Sequence, residues 1–466
     1  MVDTATVVGA LEELVARAAG QRQRRLVSVT VEAEIDDPSA TVFASRLASD
    51  RWFCWEEPER DGFALAALGS AYNAVARGRD RFADIATACA AITRGRLAAE
   101  PSDLPAGAGP LWVGGMAFAP DGGASPEWAS LPPALFTLPE LALVRHRGRA
   151  WLTASALVDP GTDAKVPVER VVRRLGSLRS DSLPLVDPSP AAGLAEIASV
   201  VPPERHERAV AAAVERIRSG ALEKVVLARE VRVDAPSAHD PAALFGALRE
   251  LFASCFCFCC GSPEAAFLGA SPELLVRRSG AGVASVALAG STRRSADPAV
   301  DAHLGEQLAR SAKEREEHAI VARRIARALV PLSVWVEAAP EPELIKVANI
   351  QHLATAIRAQ LADPLSAVEL AGILHPTPAG GGEPREEALA TIRELEGLDR
   401  GWYAGPVGWM DATEDGELCV ALRSALLRDR TAHLYAGGGI VADSDPAAEL
   451  AETETKLGAL LPLLAG

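Results

Sequence analysis

The sequence has no excess of positive charge, no long apolar run and no nucleotide-binding fingerprint, and each absence removes a class of function. Its formal charge is −15 at pH 7. Nucleic acids and anionic membranes are polyanions held chiefly by Lys and Arg, so neither is expected as a partner. An anionic small molecule would have to find local cations against the same field. No uncharged stretch approaches the roughly 18 residues of a spanning helix, and the segment from Met1 to Gly20 lacks a basic start followed by an apolar run. A cytoplasmic protein without a membrane partner is the expectation. No self-similarity appears at the periods of about 20 to 50 residues that mark repeat folds. The seven cysteines include four in Ala253-Ser-Cys-Phe-Cys-Phe-Cys-Cys260, a spacing that sets Cys255, Cys257 and Cys259 on one face of a strand. A tetrahedral zinc site usually draws on a second Cys or His pair, and none stands at ligand spacing. These cysteines therefore read as small buried strand residues in a reducing compartment.

What is present is a globular composition, 49% hydrophobic and 23% charged. The 466 residues allow two or three average domains or one large mixed core. The first 200 residues predict a helix over 5–19 and strands at 51–56, 62–69 and 109–118, with more between 141 and 158. This half reads as scaffold. A Pro, Ser and Asp-rich stretch, Ser180 to Pro190, is the candidate linker. Beyond it come a helix over 203–219 and a strand over 222–233. Strands near 253–260, 265–270, 273–278 and 283–288 lead to one long helix from about 298 to 329. Strands and helices do not alternate regularly, which favours an α+β arrangement over a doubly wound sheet.

The features that can carry chemistry lie in residues 201–466. Glu314 and Glu317, in Lys313-Glu-Arg-Glu-Glu-His318, are three apart and share a helix face. Glu449 and Glu452 repeat the spacing in a second predicted helix, 446–461. Two such helices can converge on one hard divalent cation, for which Mg²⁺ is the ordinary choice, or they can be solvated acidic faces. Lys224 opens an apolar strand, Lys224-Val-Val-Leu-Ala-Arg229. It is either at an exposed strand mouth or functionally placed, and as a general base it must be neutral. Three glycine-bearing segments, 268–275, 287–294 and 435–440, read as tight turns whose amides can hold a carboxylate. None has the spacing of a dinucleotide fingerprint or a phosphate loop.

These segments resemble the chorismate-utilising family that includes isochorismate, salicylate, anthranilate and aminodeoxychorismate synthases. The likeness covers roughly residues 203–462. It rests on Lys224 to Arg229, Gly269-Ala-Ser-Pro-Glu-Leu274, Leu288-Ala-Gly-Ser-Thr-Arg293, Glu314 to His318, Gln351-His-Leu-Ala-Thr355, His375-Pro-Thr-Pro-Ala379, Ala436-Gly-Gly-Gly-Ile440 and Glu449 to Lys456. The resemblance implies a single large α+β domain in which two sheets enclose a buried site with helices outside. Residues 1–200 would be the scaffold half of that fold and 201–466 its catalytic region. It implies that Lys224 is the general base that activates water and Glu273 the general acid. Glu317 and Glu452 would be the principal Mg²⁺ ligands, with Glu314 and Glu449 supporting through water. Gly290, His352, Thr377, Ala379, Tyr403, Arg423, Gly437, Gly438 and Lys456 would hold chorismate, and a monomer is the implied state.

Within the family the nucleophile separates the members. Anthranilate synthases place a glutamine-type residue where Lys224 stands, and aminodeoxychorismate synthases carry a lysine where this chain has Ala289. Salicylate synthases share the base and acid, but their counterpart of Ala379 tends to be a threonine. The pattern here is that of enzymes that stop at isochorismate, which feeds menaquinone or siderophore synthesis. The alternatives are a salicylate synthase or a catalytically dead metal-binding module, the latter signalled by loss of a residue that is in fact present. Gly380 departs from the bulkier apolar residue common in relatives, so a looser cavity wall is expected.

Overall fold

A computed structural model describes residues 4–186 and 195–465, so the end of the 180–190 stretch lies outside the described residues. Two sheets of 13 and 10 strands form the α+β frame. Strand pairings are antiparallel except where Arg25–Glu32 runs parallel to Leu97–Ala99. Both sheets draw on both halves of the chain. In the larger, Phe256–Gly261 pairs with Trp52–Glu57, and in the smaller, Pro406–Asp411 pairs with Leu111–Met116.

Strand alternation divides the core into two layers. Phe53, Trp55, Leu65, Phe258 and Phe267 point from the larger sheet toward Trp112, Phe136 and Trp409 of the smaller. Their neighbours Cys54, Ala66, Leu68, Cys257, Cys259 and Leu268 point the other way, against helices Thr4–Ala19 and Pro241–Leu251. The period of two in the sequence produces this split. Cys255, Cys257 and Cys259 share the helix-covered layer, all seven cysteines are free and buried, and burial pushes the Cys257 thiol well above its ordinary pKa.

The structure corrects three expectations from the sequence. The long helix over 298–329 is two helices, Pro298–Arg310 and Ala312–Leu329, separated at Ser311. Ser311 caps the second helix, its Oγ accepting from the Glu314 amide at 3.3 Å. Serine followed by glutamate three residues on is an N-terminus signature, and here it overrides continuous periodicity. The C-terminal helix stops at Leu457, before a turn and a short helix Leu461–Ala465. Two glycine-bearing segments are strand interiors, not turns. Gly290 lies inside Gly282–Arg293 at a bulge, and Gly437, Gly438 and Gly439 lie inside Thr431–Ile440 opposite Ala228, Leu227 and Val226. No helix among the described residues is long and apolar enough to cross a membrane.

Candidate active site

The acidic pairs take their positions from the helix starts. Asp445 caps helix Pro446–Leu457, its side chain accepting from the Ala448 amide, as Ser311 does for Ala312–Leu329. Glu314 and Glu449 then fall in first turns, where the helix dipole favours a carboxylate, with Glu317 and Glu452 one turn on. The Gly290 bulge joins the two helices. Its φ of +75° suits glycine, and a Cβ there would lie 3.1 Å from a Glu314 oxygen. The bulge presents Ser291, whose amide donates to Glu314 at 3.2 Å and whose hydroxyl donates to Glu452 at 2.9 Å.

All four carboxylates line one cavity of about 100 Å³ together with Lys224, Glu273, Gly290, His352, Ala379, Tyr403, Arg423, Gly437 and Lys456. Thr377 and Gly438 stand just behind its surface. Thr377 donates to Glu273 at 3.4 Å, and a Cβ at Gly438 would sit 3.1 Å from Glu449. Lys224 is 1% exposed, which removes the strand-mouth reading, and its amine lies 2.8 Å from Glu317. Gly439 makes room for that pair, since a Cβ there would come within 2.9 Å of the lysine chain. Of the five lysines in the sequence, three line this cavity: Lys224, Lys313 and Lys456. Lys313 and Lys456, with Arg423 in the same lining, supply the local positive charge that an anion would need in a chain of charge −15.

Electrostatics divides the acids into two kinds. Burial pushes the Glu273 carboxyl up to about 8, against the opposing pull of Lys224, so at neutral pH it carries a proton. Burial and the charge on Glu317 bring Glu314 to about 7. Glu449 is raised by burial and by Glu452, and its Oε2 is buried without a hydrogen-bond partner. Glu452 is only half-buried; desolvation would raise it, but Lys456 at 2.7 Å carries it below the ordinary carboxylate value. In this conformation Glu317, Glu449 and Glu452 are each drawn to a lysine, Lys313 lying 3.4 Å from Glu449. No three acidic, His or Cys side chains close into a metal cage among the described residues. The donors are nonetheless hard oxygens with surplus negative charge and one orphaned atom, the set that suits Mg²⁺.

Arg423 is the anion-seeking group. It is almost wholly buried, and burial brings its guanidinium down to about 10. Among the described residues its hydrogen-bond partners are neutral. Nη2 donates to His352 Nε2 at 2.8 Å, and Nη1 reaches Asn349 Oδ1 at 3.4 Å. His352 completes the chain by donating from Nδ1 to Gly290 O at 3.2 Å, and burial together with Arg423 keeps the ring neutral. A buried guanidinium without a carboxylate is a site awaiting one. Tyr403 stacks on Tyr435 at 5.3 Å, and Lys456 also donates to Gly437 O at 2.8 Å. A Cβ at Gly380 would meet only Ala404, at 3.9 Å, which is the room expected there.

Sequence reasoning assigned no role to Lys313, Ser291, Arg400 or Gly439, all of which line the cavity. Lys313 and Ser291 lay inside motifs already singled out. Arg400 carried no signal, because an Arg four residues after a Glu reads as an ordinary surface pair.

The chain matches the family described as chorismate binding enzyme over residues 13–465. It is 38% identical to a salicylate biosynthesis isochorismate synthase of Pseudomonas aeruginosa over 95% of this chain and 92% of that protein. Identity to an isochorismate synthase of Bacillus subtilis is 32%, over 95% of this chain and 94% of that one. Among solved structures, the menaquinone-specific isochorismate synthase of Escherichia coli covers 99% of this chain and 100% of its own at a TM-score of 0.78 and 25% identity. Anthranilate synthase component I of Streptococcus pneumoniae, at 20% identity, shares the fold with a TM-score of 0.65 over 86% of this chain and 92% of its own. A cavity that gathers the motif residues from eight separate segments is thus matched by likeness along almost the whole length, and the chain belongs to the family of chorismate-binding enzymes.

Proposed function

We propose that this chain is an isochorismate synthase that adds water at carbon 2 of chorismate as the 4-hydroxyl leaves, with Mg²⁺ as cofactor. The observation that carries the reading is one cavity holding a buried lysine, a buried protonated carboxyl and a buried arginine without an acidic partner. The naming of full-length relatives as isochorismate synthases supports it.

Chorismate is a dianion, and hydroxide is a poor leaving group. Arg423 takes one carboxylate with its fork, held in plane by His352, and Lys456 adds a second positive charge. Lys224, as the free amine, removes a proton from the attacking water, while Glu273 delivers its proton to the departing hydroxyl. Thr377 orients the Glu273 carboxyl. Glu317 and Glu452, supported by Glu314 and Glu449, would hold Mg²⁺, whose positive charge at the ring carboxylate would draw electrons from the diene. Tyr403 and the backbone at Gly290, Gly437 and Gly438 complete the substrate enclosure. Ala379 offers a methyl group and no hydroxyl, so the loss of pyruvate that would give salicylate finds no added hydrogen bond. Purified protein incubated with chorismate and Mg²⁺ should give isochorismate on chromatography. Recovery of unchanged chorismate, or of anthranilate with ammonia supplied, would end the proposal.

A further inference from the structure

Among the described residues, the strand that carries Lys224 has no strand partner along part of one edge. On the other edge it pairs with Thr431–Ile440 from Val225 to Asp234. On the interrupted edge the partner changes midway. Near the start, Glu223 and Val226 donate to Glu383 O and Gly381 O, both at 2.8 Å. Toward the end the strand pairs with Glu196–Ser199, and Val200 donates to Glu230 O at 3.0 Å. Between these partners Val226 O and Ala228 N face a gap that no described strand fills. Buried backbone groups are costly to leave unpaired.

Two side chains occupy the gap. Arg400 Nη2 donates to Val226 O at 2.9 Å, and Ala228 N donates to Glu396 Oε1 at 2.7 Å. The two are joined, Arg400 Nε donating to Glu396 Oε2 at 2.9 Å, with side chains only 3% and 2% exposed. A further donation, from Arg400 Nη1 to Gly380 O at 2.9 Å, grips the cavity wall beside Ala379. The guanidinium lies 4.1 Å over the Phe118 ring, which fixes its plane.

We infer that Glu396 and Arg400 are positioning residues: their ion pair stands in for the missing strand and holds Lys224 and the Ala379–Gly380 wall in fixed relation. Stability alone is a poor reason for such a pair, because apolar residues of similar volume often serve as well. Geometry is a better one. A planar cation with five donors reaches two backbone carbonyls on separate segments and both oxygens of one carboxylate here, one acceptor more than the three donors of a lysine can serve. Val226 is two residues, about 7 Å, from Lys224, so a slackened contact there is passed to the amine. The inference rests on the proposed role of Lys224.

The test is steady-state kinetics of Arg400→Ala and Glu396→Gln with chorismate and Mg²⁺, beside thermal melts of the same samples. Neither residue touches the carboxylate-binding fork, so kcat should fall, by up to about 10² for Arg400→Ala, while KM for chorismate stays near the wild-type value. Millimolar guanidinium should restore kcat of Arg400→Ala, and ammonium should not, since only the planar ion fits the vacated acceptors. Folded variants with wild-type kcat, or a loss confined to KM, would overturn the inference. So would a loss that guanidinium does not relieve. If Arg400→Ala does not fold, Glu396→Gln decides: lowered kcat with unchanged KM supports positioning, and unchanged kcat refutes it. Wild-type protein that makes no isochorismate would instead sink the proposed function.

Discussion

Glu273→Gln separates the physical claim about the acid from the chemical one. Folding raises this carboxyl from an ordinary 4.5 to about 8, chiefly by burial. Between those values the folded protein holds a proton that the unfolded chain has released, so stability falls as pH rises through the window. Each pH unit costs about 1.4 kcal/mol and the whole window about 5 kcal/mol. Glutamine has nearly the same shape and does not titrate. For a chain of 466 residues, whose unfolding entropy is on the order of 1 kcal/mol per kelvin, the variant should gain roughly 5 °C in Tm relative to wild type between pH 5 and pH 8.5. The same titration should appear in catalysis. Wild-type kcat should decline above about pH 8 as the acid loses its proton, and Glu273→Gln should lose about 10² to 10⁴ in kcat at neutral pH. Differential scanning fluorimetry across pH, paired with chromatographic rate measurements, supplies both readings. A Tm difference that stays flat from pH 5 to 8.5 would refute the buried protonated carboxyl, and full turnover by the variant would move the acid elsewhere.

Other perturbations have equally definite outcomes. Lys224→Ala should keep the fold, checked by circular dichroism, and lose about 10² to 10⁴ in kcat; near-wild-type turnover would discard the base. Excess chelator should abolish activity and Mg²⁺ should restore it, while Glu317→Ala and Glu452→Ala should each lose metal-dependent turnover; full activity in chelator would remove Mg²⁺ from the reading. Arg423→Gln should raise KM for chorismate at least tenfold, because a charged hydrogen bond is worth about 1.5 to 3 kcal/mol; an unchanged KM would place the carboxylate elsewhere. Ala379→Thr should raise salicylate formation, followed by its fluorescence, although the room left at Gly380 limits the gain. Salicylate and pyruvate as the main products of the unmodified protein would assign it to the salicylate branch.

The candidate site was legible where function and local pattern share one stretch of chain. Glutamates three apart stay on one helix face in any fold, and a lysine at the head of an apolar strand stands out against its neighbours. The helix break at Ser311 was legible too, as serine followed by glutamate three residues on, but the apolar periodicity running through it concealed the stop. The glycines misled for a different reason. A run such as Gly437 to Gly439 reads as a turn from sequence, whereas here the residues stay in a strand. Gly439 must be small because the Lys224–Glu317 pair, contributed by two distant segments, presses against it.

Sequence by itself determined the alternation that splits the larger sheet into two packed layers, the carboxylate pairs, and the motifs that mark a chorismate-utilising chain, because each depends on neighbours within a few residues. Tertiary structure alone decided which charges meet. It set Lys224 against Glu317, joined two helices through Ser291, and left Arg423 buried without an acid. It also placed Arg400 and Glu396 in the gap beside the Lys224 strand. Those contacts join residues up to 174 positions apart. Their energies depend on burial, which no local pattern encodes: the same Glu and Arg at a spacing of four would be a weak solvated pair on a surface and are a fixed anchor here.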